Sequence, residues 1–543
     1  MNLKWLTYPK LLMDQHPISL SDYPVPDYPQ SYIRCETEWM ANWKRLFPVN
    51  EISRRLKLDF IQMVHLRLSK RVLEKPIRFG LHLEGILQAH PVDSIDLSRM
   101  PDSLSELIRF FIASRWSGPI LPACPRRKWI GYGLRIPRLY CIFVAGMLYQ
   151  GLYFLWYGLH RRSNTRDFSD RPWVYCSYSR SYLLNGLSDQ PILILPFSRI
   201  RINRDRGSHQ LNPLNGYRCS EFLRLIREMT GILRLEKKAL TRLTPRDYRL
   251  YFQPIDFYIY FQFPIALSWI RMVQTVYRDH LPERLVFTNG SNEITGALTS
   301  LQERPFRIFH YQHGQMQTPV FYRSYSHGYL TWTPFERDMI ERYSYDRCFT
   351  TGFYPKPYRA FSTGRAPIHS FPLKIGIFTN PIDEVFGKPA RDHLDQILIQ
   401  LIKEFESQCR FTLNLHPAES SSRYQALFPS IQILQHQSEI QMAQSDIIVT
   451  VYSTILVEAL YYHKPVLVYR SFLDEEETLI GKVDPRRTFT HYPRLKQIMN
   501  DLFCEISSTQ SVDLQPEQAL HHIYFGSMTP PSPSELHARI TRL

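Results

Sequence analysis

Three short groups of side chains in this chain have the chemistry to hold and transfer an anionic group. One is the turn Tyr452-Ser453-Thr454, between a β-branched run at 446–451 and a helix-forming run at 455–462 that carries Glu458, with a second strand-like run at 465–469. Strand, turn, helix and strand make one βαβ unit, whose right-handed crossover puts the turn at the carboxyl edge of a parallel sheet, beside the unpaired N–H groups of a helix start. Hydroxyls there suit a phosphate, and they suit plain helix capping equally well. The other two groups are His416-Pro417, ending a run at 411–415, and Thr379-Asn380, ending a run at 374–378. Helix-like stretches at 393–406 and 439–444 separate them, the second opened by Ser438-Glu439-Ile440-Gln441 in capping-box spacing. The order is β-α-β-α-β-α-β, so four strands deliver Thr379, His416 and Ser453 to one rim, where open α/β sheets bind ligands.

The preceding segment has the same grammar. A strand at 284–288 leads into Asn289-Gly290-Ser291, a helix at 292–302 carries Glu293 on its first turn, and a strand at 307–311 ends at Gln312-His313-Gly314. A strand at 328–332 and a helix at 334–343 follow. An imidazole titrating near neutrality can take the proton from an attacking hydroxyl, and the glycine beside it lets a substrate approach the backbone. His313 has the residue type for that step.

An HP pair, then an S-[ST] turn with Glu four residues beyond it and a KPV strand, resembles the donor half of GT-B glycosyltransferases over roughly residues 284–500. The nearest flavour is the bacterial surface-polysaccharide group: sialyl- and polysialyltransferases, capsule Kdo transferases and CDP-glycerol polyol-phosphate transferases. The resemblance implies that His416, Pro417, Ser453 and Thr454 hold the donor's phosphate, that Glu458 holds its ribose, and that His313 acts on the acceptor with Gly314 beside it. Thr379 and Asn380 join the donor side, and Asn289, Gly290 and Ser291 form an acceptor-side loop. Sialyltransferases of this type place a carboxylate where Asn289 stands; this chain departs from that pattern, an amide cannot act as a base, and the resemblance therefore leaves His313 or Glu293, the only carboxylate nearby, as the general base. The expected fold is α/β, two Rossmann-like domains with a mainly helical N-terminal extension. The expected boundaries are 1–165 for the extension, 166–354 for the acceptor domain, 355–372 for a Pro/Gly linker, 373–527 for the donor domain and 528–543 for a tail helix, which GT-B proteins often return to the first domain. The implied activity is inverting, metal-independent transfer of a sugar, CMP-linked being one option, onto a cell-surface glycan or glycolipid. CDP-polyol phosphotransfer, nucleotide-sugar epimerisation and a non-catalytic role in polysaccharide assembly are the alternatives.

Composition agrees with a multidomain protein: 543 residues accommodate two domains and an extension. Eight cysteines without CxxC spacing point away from zinc sites and disulfide frameworks. No cofactor motif and no strand-end acidic pair for a divalent metal is present, and residues 1–14 lack the apolar core of a secretory leader. A net charge of +16 calls for an anionic partner. Dispersed basic residues without a recognition motif argue against nucleic acid. An anionic membrane surface fits better, because residues 139–159 are uncharged, have aromatic ends and lie between Arg/Lys clusters. That run can lie on a bilayer, span one, or be a buried helix. A protein lying on the inner face of the cytoplasmic membrane is the expectation that suits a lipid-linked acceptor. Residues 17–32, rich in Pro and Tyr, read as irregular.

Overall fold

The computed structural model describes residues 28–97, 102–113, 134–159, 219–264, 306–312, 326–343, 364–368, 371–380, 388–416, 419–435, 437–451, 454–470 and 478–526, with short segments elsewhere. The N-terminal part is not purely helical. Strands β1 (Asn2–Thr7), β2 (Lys10–Met13) and β3 (His16–Ser19) form an antiparallel meander, and β1 pairs in parallel with β4 (Ser94–Asp96), itself paired with β5 (Ile120–Leu121). The expectation of irregular chain over 17–32 fails at both ends, since β3 reaches Ser19 and α1 (Tyr28–Leu46) begins at Tyr28. Pro29 falls in the first turn of α1, where no N–H is needed. Tyr32, Trp39 and Trp43 recur on one face of α1 and are buried. That stripe is what makes the segment a core helix.

Helices α2 (Val49–Leu56), α3 (Phe60–Leu68), α4 (Glu74–Ala89), α5 (Asp102–Ile112) and α6 (Arg135–Leu159) complete the extension, and α7 (Cys219–Leu240) with π-helical turns at Tyr248–Phe252 and Tyr258–Gln262, from the segment expected to belong to the acceptor domain, packs in with them. Their apolar faces merge into one core that includes Leu285 and Ile308 of the following sheet. The extension is thereby a layer on that sheet.

That sheet contains β6 (Trp173–Tyr175), β7 (Ile192–Leu193), β8 (Gln210–Leu211), β9 (Arg284–Phe287), β10 (Arg307–Tyr311), β11 (Gly328–Thr331) and β12 (Cys348–Thr350), all parallel, in spatial order β12-β11-β10-β9-β6-β7-β8. The last sheet contains β14 (Leu373–Phe378), β15 (Cys409–Leu415), β16 (Gln432–Gln435), β17 (Ile447–Val451), β18 (Val466–Tyr469) and β19 (Thr488–Phe489), again all parallel, in order β16-β15-β14-β17-β18-β19. Counted within each sheet, both run 3-2-1-4-5-6, the first with a seventh strand, and both reverse between their first and fourth strands. This is the doubly wound Rossmann order, found twice. Strands buried on both faces read as nearly unbroken apolar runs, as Val466–Tyr469 does, and as Ile447–Val451 does but for Thr450.

The expected linker contains β13 (Arg365–Pro367), paired antiparallel with β20 (Ser511–Asp513). Helix α8 (Pro334–Tyr343), from the first half, packs on the helix Gln515–Phe525 of the second, with the Phe335 and Tyr524 rings 6.1 Å apart. A helix near the C-terminus thus crosses to the first domain, upstream of the tail at 528–543, which lies outside the described residues except for isolated positions.

Candidate functional site

The carboxyl edge of the second sheet collects the residues on which the donor reading rests. Phe378 is level with Asn414 on one side and Thr450 on the other, so β14, β15 and β17 end together. Thr379 and Asn380 continue from β14, His416 from β15 and Thr454 from β17. Buried Thr379 is fixed by its N–H, which donates to Asn414 O at 3.0 Å, and the His416 N–H donates to Thr379 Oγ1 at 3.3 Å. Two of the predicted residues are therefore in direct contact. Thr454 is the N-cap of the helix Ile455–Tyr461, and its side chain makes no capping bond, so the plain capping role does not apply to it. Glu458 sits half-buried on the first turn of that helix. Pro417 and Ser453 lie outside the described residues, as do Asn289, Gly290, Ser291, Glu293, His313 and Gly314.

The sequence reading missed the two charged residues that organise this rim. The Glu419 carboxylate accepts hydrogen bonds from the His416 N–H at 3.1 Å, from the Tyr424 hydroxyl at 2.9 Å and from the Thr379 hydroxyl. Arg391, on the helix Lys388–Phe405, forms an ion pair with it. Arg391 also donates to Asn380 O at 2.7 Å and to the Tyr424 hydroxyl. Both charged side chains are almost fully buried. Burial and the neighbouring Glu419 carboxylate push the Tyr424 hydroxyl well above its usual range. The chemical effect is twofold. Glu419 ties the ends of β14 and β15 into one fixed frame, and Arg391 neutralises a carboxylate that would otherwise repel a phosphate at the same edge. The Glu419 N–H also donates to His416 O at 2.9 Å.

One expectation needs correction. Ser438 does not open a capping box: the helix runs Ser438–Gln444 with Gln437 as N-cap and no side-chain cap bond. Gln441 instead donates from its amide to Thr412 O at 2.8 Å, which ties the helix to β15. The KPV lysine, Lys464, sits at the amino end of β18, donating to Ser445 O at 2.7 Å and Ala443 O at 3.3 Å. It closes the far end of the sheet and belongs to the scaffold.

In the first sheet, β10 is followed by Gln312, the first residue of the QHG motif. Buried Gln312 accepts from the Trp332 N–H through Oε1 at 2.6 Å, and its own N–H donates to Leu330 O at 2.9 Å. The residue just before His313 is thus locked to the end of β11. His310, three residues earlier, is a core histidine, stacked on Tyr329 and held neutral by burial, which lowers its pKa to about 3.

No protein-family model and no curated protein sequence matches the chain. Among solved structures, the chain is similar to the wall teichoic acid polymerase TagF at 10% identity, covering 77% of this chain and 98% of that one with a TM-score of 0.40. It is similar to the glycosyltransferase SnogD from Streptomyces nogalater at 11% identity, covering 69% and 99% with a TM-score of 0.38. It is also similar to UDP-GlcNAc 2-epimerase from Neisseria meningitidis bound to UDP-GlcNAc, at 12% identity, covering 68% and 98% with a TM-score of 0.37.

Proposed function

We propose that the chain is a GT-B-type glycosyltransferase that moves a sugar from a nucleotide-activated donor to a glycan or lipid-linked acceptor. The observation that carries this reading is the union of Thr379, Asn380 and His416 in one buried network at the switch edge of a 3-2-1-4-5-6 sheet, with Thr454 at the N-cap of the helix that follows the adjoining strand. Ligands of open α/β sheets bind at that edge. In this reading His416, Pro417, Ser453 and Thr454 hold the donor phosphate and stabilise charge as the nucleotide departs. Glu458 takes the ribose hydroxyls, and Thr379 and Asn380 line the same side. His313, beside Gly314 at the opposite sheet, takes the acceptor proton, with Glu293 as the competing base. Transfer is direct and inverting, without a metal, at the inner face of the cytoplasmic membrane.

The test is a panel of labelled CMP-, CDP-, UDP- and GDP-linked donors, assayed for binding and for transfer with and without acceptor. His416→Ala and Thr454→Ala are expected to remain folded, to lose most nucleotide affinity and to abolish turnover. Unchanged affinity in both folded variants overturns the site. Turnover of a CDP-polyol alone would move the reading to polyol-phosphate transfer, conversion of a donor without any acceptor would move it to epimerisation, and binding without turnover would leave a non-catalytic protein.

A further inference from the structure

Helix α6 solves only half of its burial problem inside the protein. Its inner face is pinned: Leu139, Gly146 and Gln150 are buried, and Gln150 Nε2 donates to Phe261 O at 3.0 Å. At Gly146 any side chain would meet Tyr260 O, since a Cβ there would lie 2.2 Å from it. The outer face is apolar and open to solvent. Val144 is 52% exposed, Leu148 65%, Leu152 67% and Leu155 62%, spaced three or four residues apart so that they form one continuous stripe. Exposed Tyr140 and Tyr149 stand along it, and exposed Phe257 extends the apolar surface by stacking on Phe261, which packs against Tyr149.

Beside α6 lies α7, whose exposed face is cationic. Arg224, Arg227, Arg234, Lys237 and Lys238 all face solvent, while Glu236 is buried and Glu228 is engaged by Arg224 and Arg271. Lys237 joins the two surfaces physically, with Nζ 3.3 Å from the Tyr140 hydroxyl and 5.4 Å from the centre of its ring. A row of cations, four of which (Arg227, Arg234, Lys237 and Lys238) have no carboxylate partner among the described residues, fits the border between lipid headgroups and acyl chains when it runs along an apolar stripe. Tyrosines placed between the two suit that border, since one end is apolar and the other wet.

We infer that α6 and α7 together form a docking surface for an anionic phospholipid bilayer, with the Val144–Leu155 stripe entering the acyl boundary and the α7 cations meeting phosphate headgroups. No helix among the described residues is long and apolar enough to cross a membrane, and the Gly146 and Gln150 contacts hold α6 to the protein body. The helix therefore lies on the bilayer. A second copy of the chain is the poorer occupant, because pairing two such faces would bring like-charged rows together at the rim of an apolar contact. The surface is independent of the transfer chemistry proposed above.

The experiment is co-sedimentation of the full-length chain with vesicles, without nucleotide or acceptor, so that its outcome stands apart from any assay of transfer. Phosphatidylcholine vesicles containing phosphatidylglycerol are expected to bind the wild type, and pure phosphatidylcholine vesicles to bind it at least about ten-fold more weakly. Leu148→Asp/Leu152→Asp is expected to lower binding to the anionic vesicles about ten-fold or more, since both side chains already face water and their loss leaves the core intact. Lys237→Glu/Lys238→Glu is expected to do the same and to flatten the salt dependence. Leu152→Trp supplies an independent readout: its fluorescence is expected to shift to the blue on anionic vesicles and to be quenched by brominated acyl chains. Failure of the wild type to bind, or equal binding by the aspartate variant with unquenched Trp fluorescence, overturns the proposal. Self-association of the lipid-free protein that the aspartate variant abolishes also overturns it, in favour of a second copy.

Discussion

The rim of the second sheet is decided by single residues. Glu419 and Arg391 are positioning residues: they touch Thr379, Asn380 and the His416 backbone, so their role is to hold the edge. Removing one member of a buried ion pair leaves the other charge uncompensated, a cost of about 3–5 kcal/mol. Glu419→Ala is therefore expected to lower unfolding free energy by about that amount in denaturant titration, with Glu419→Gln costing less because it keeps hydrogen-bonding capacity. Equal, negligible losses in both variants would show that the pair does not organise the rim. At the other sheet, His313→Ala is expected to lower turnover about 10²- to 10⁴-fold with donor affinity nearly unchanged, the usual worth of a positioned base. Glu293→Gln is the discriminating partner in that experiment: if it alone loses the rate, the carboxylate is the base.

At the scale of elements, the contact between α6, α7 and the π-helical turns carries a pH response. Glu236 of α7 and Asp256, between the two turns, are both fully buried and repel one another, and the Tyr260 hydroxyl donates to Glu236. Arg138 of α6 is the cation that acts on Asp256, and Tyr248 is also electrostatically coupled to the pair. Burial, followed by repulsion from Asp256, raises Glu236 well above the carboxylate range, and burial raises Asp256 from 3.8 to about 7 against the pull of Arg138. Folded-state values above the unfolded ones mean that the native protein binds more protons across this interval. Stability is then greatest at the acid end of the window and falls as pH rises toward about 7, by at most about 1.4 kcal/mol per pH unit per group. Thermal melts are expected to show this decline, and Glu236→Gln to reduce its slope and to melt higher than wild type at mildly alkaline pH. A wild-type profile with no such decline, or a variant that reproduces the wild-type slope, would rule the pair out as its source.

For the whole molecule, the two parallel sheets are joined by packing as well as by chain. Val286, Phe309, Tyr311, Leu330 and Trp332 of the first belong to the same apolar core as the strands and helices of the second, and Tyr524 packs fully buried against Phe335. Tyr524→Ala is expected to cost about 3–5 kcal/mol, as deletion of a buried aromatic side chain does. Chemical denaturation reads that loss directly. A change below about 1 kcal/mol would mean that the helix Gln515–Phe525 contributes little to holding the halves together.

The sequence by itself determined the four central strands of the second sheet and which of their turns share an edge. The runs at Leu373–Phe378, Cys409–Leu415, Ile447–Val451 and Val466–Tyr469 are legible because strands buried on both faces are dominated by apolar residues, with Lys374 and Arg410 exposed near the amino ends of two of them, and the order of strands and helices then dictates which turns share an edge. Short edge strands such as Gln432–Gln435 and Thr488–Phe489 escape that reading, since they carry too few apolar residues to stand out from loop. Glu419 and Arg391 were equally hidden, because a buried ion pair between residues far apart in sequence has no local signature. The same holds for α6. Composition identifies residues 139–159 as apolar all round, yet which side is buried depends on where Gly146 and Gln150 meet the chain more than a hundred residues later. Only the tertiary structure decides that, because exposure is a property of the neighbours a residue acquires on folding, and local sequence does not contain them.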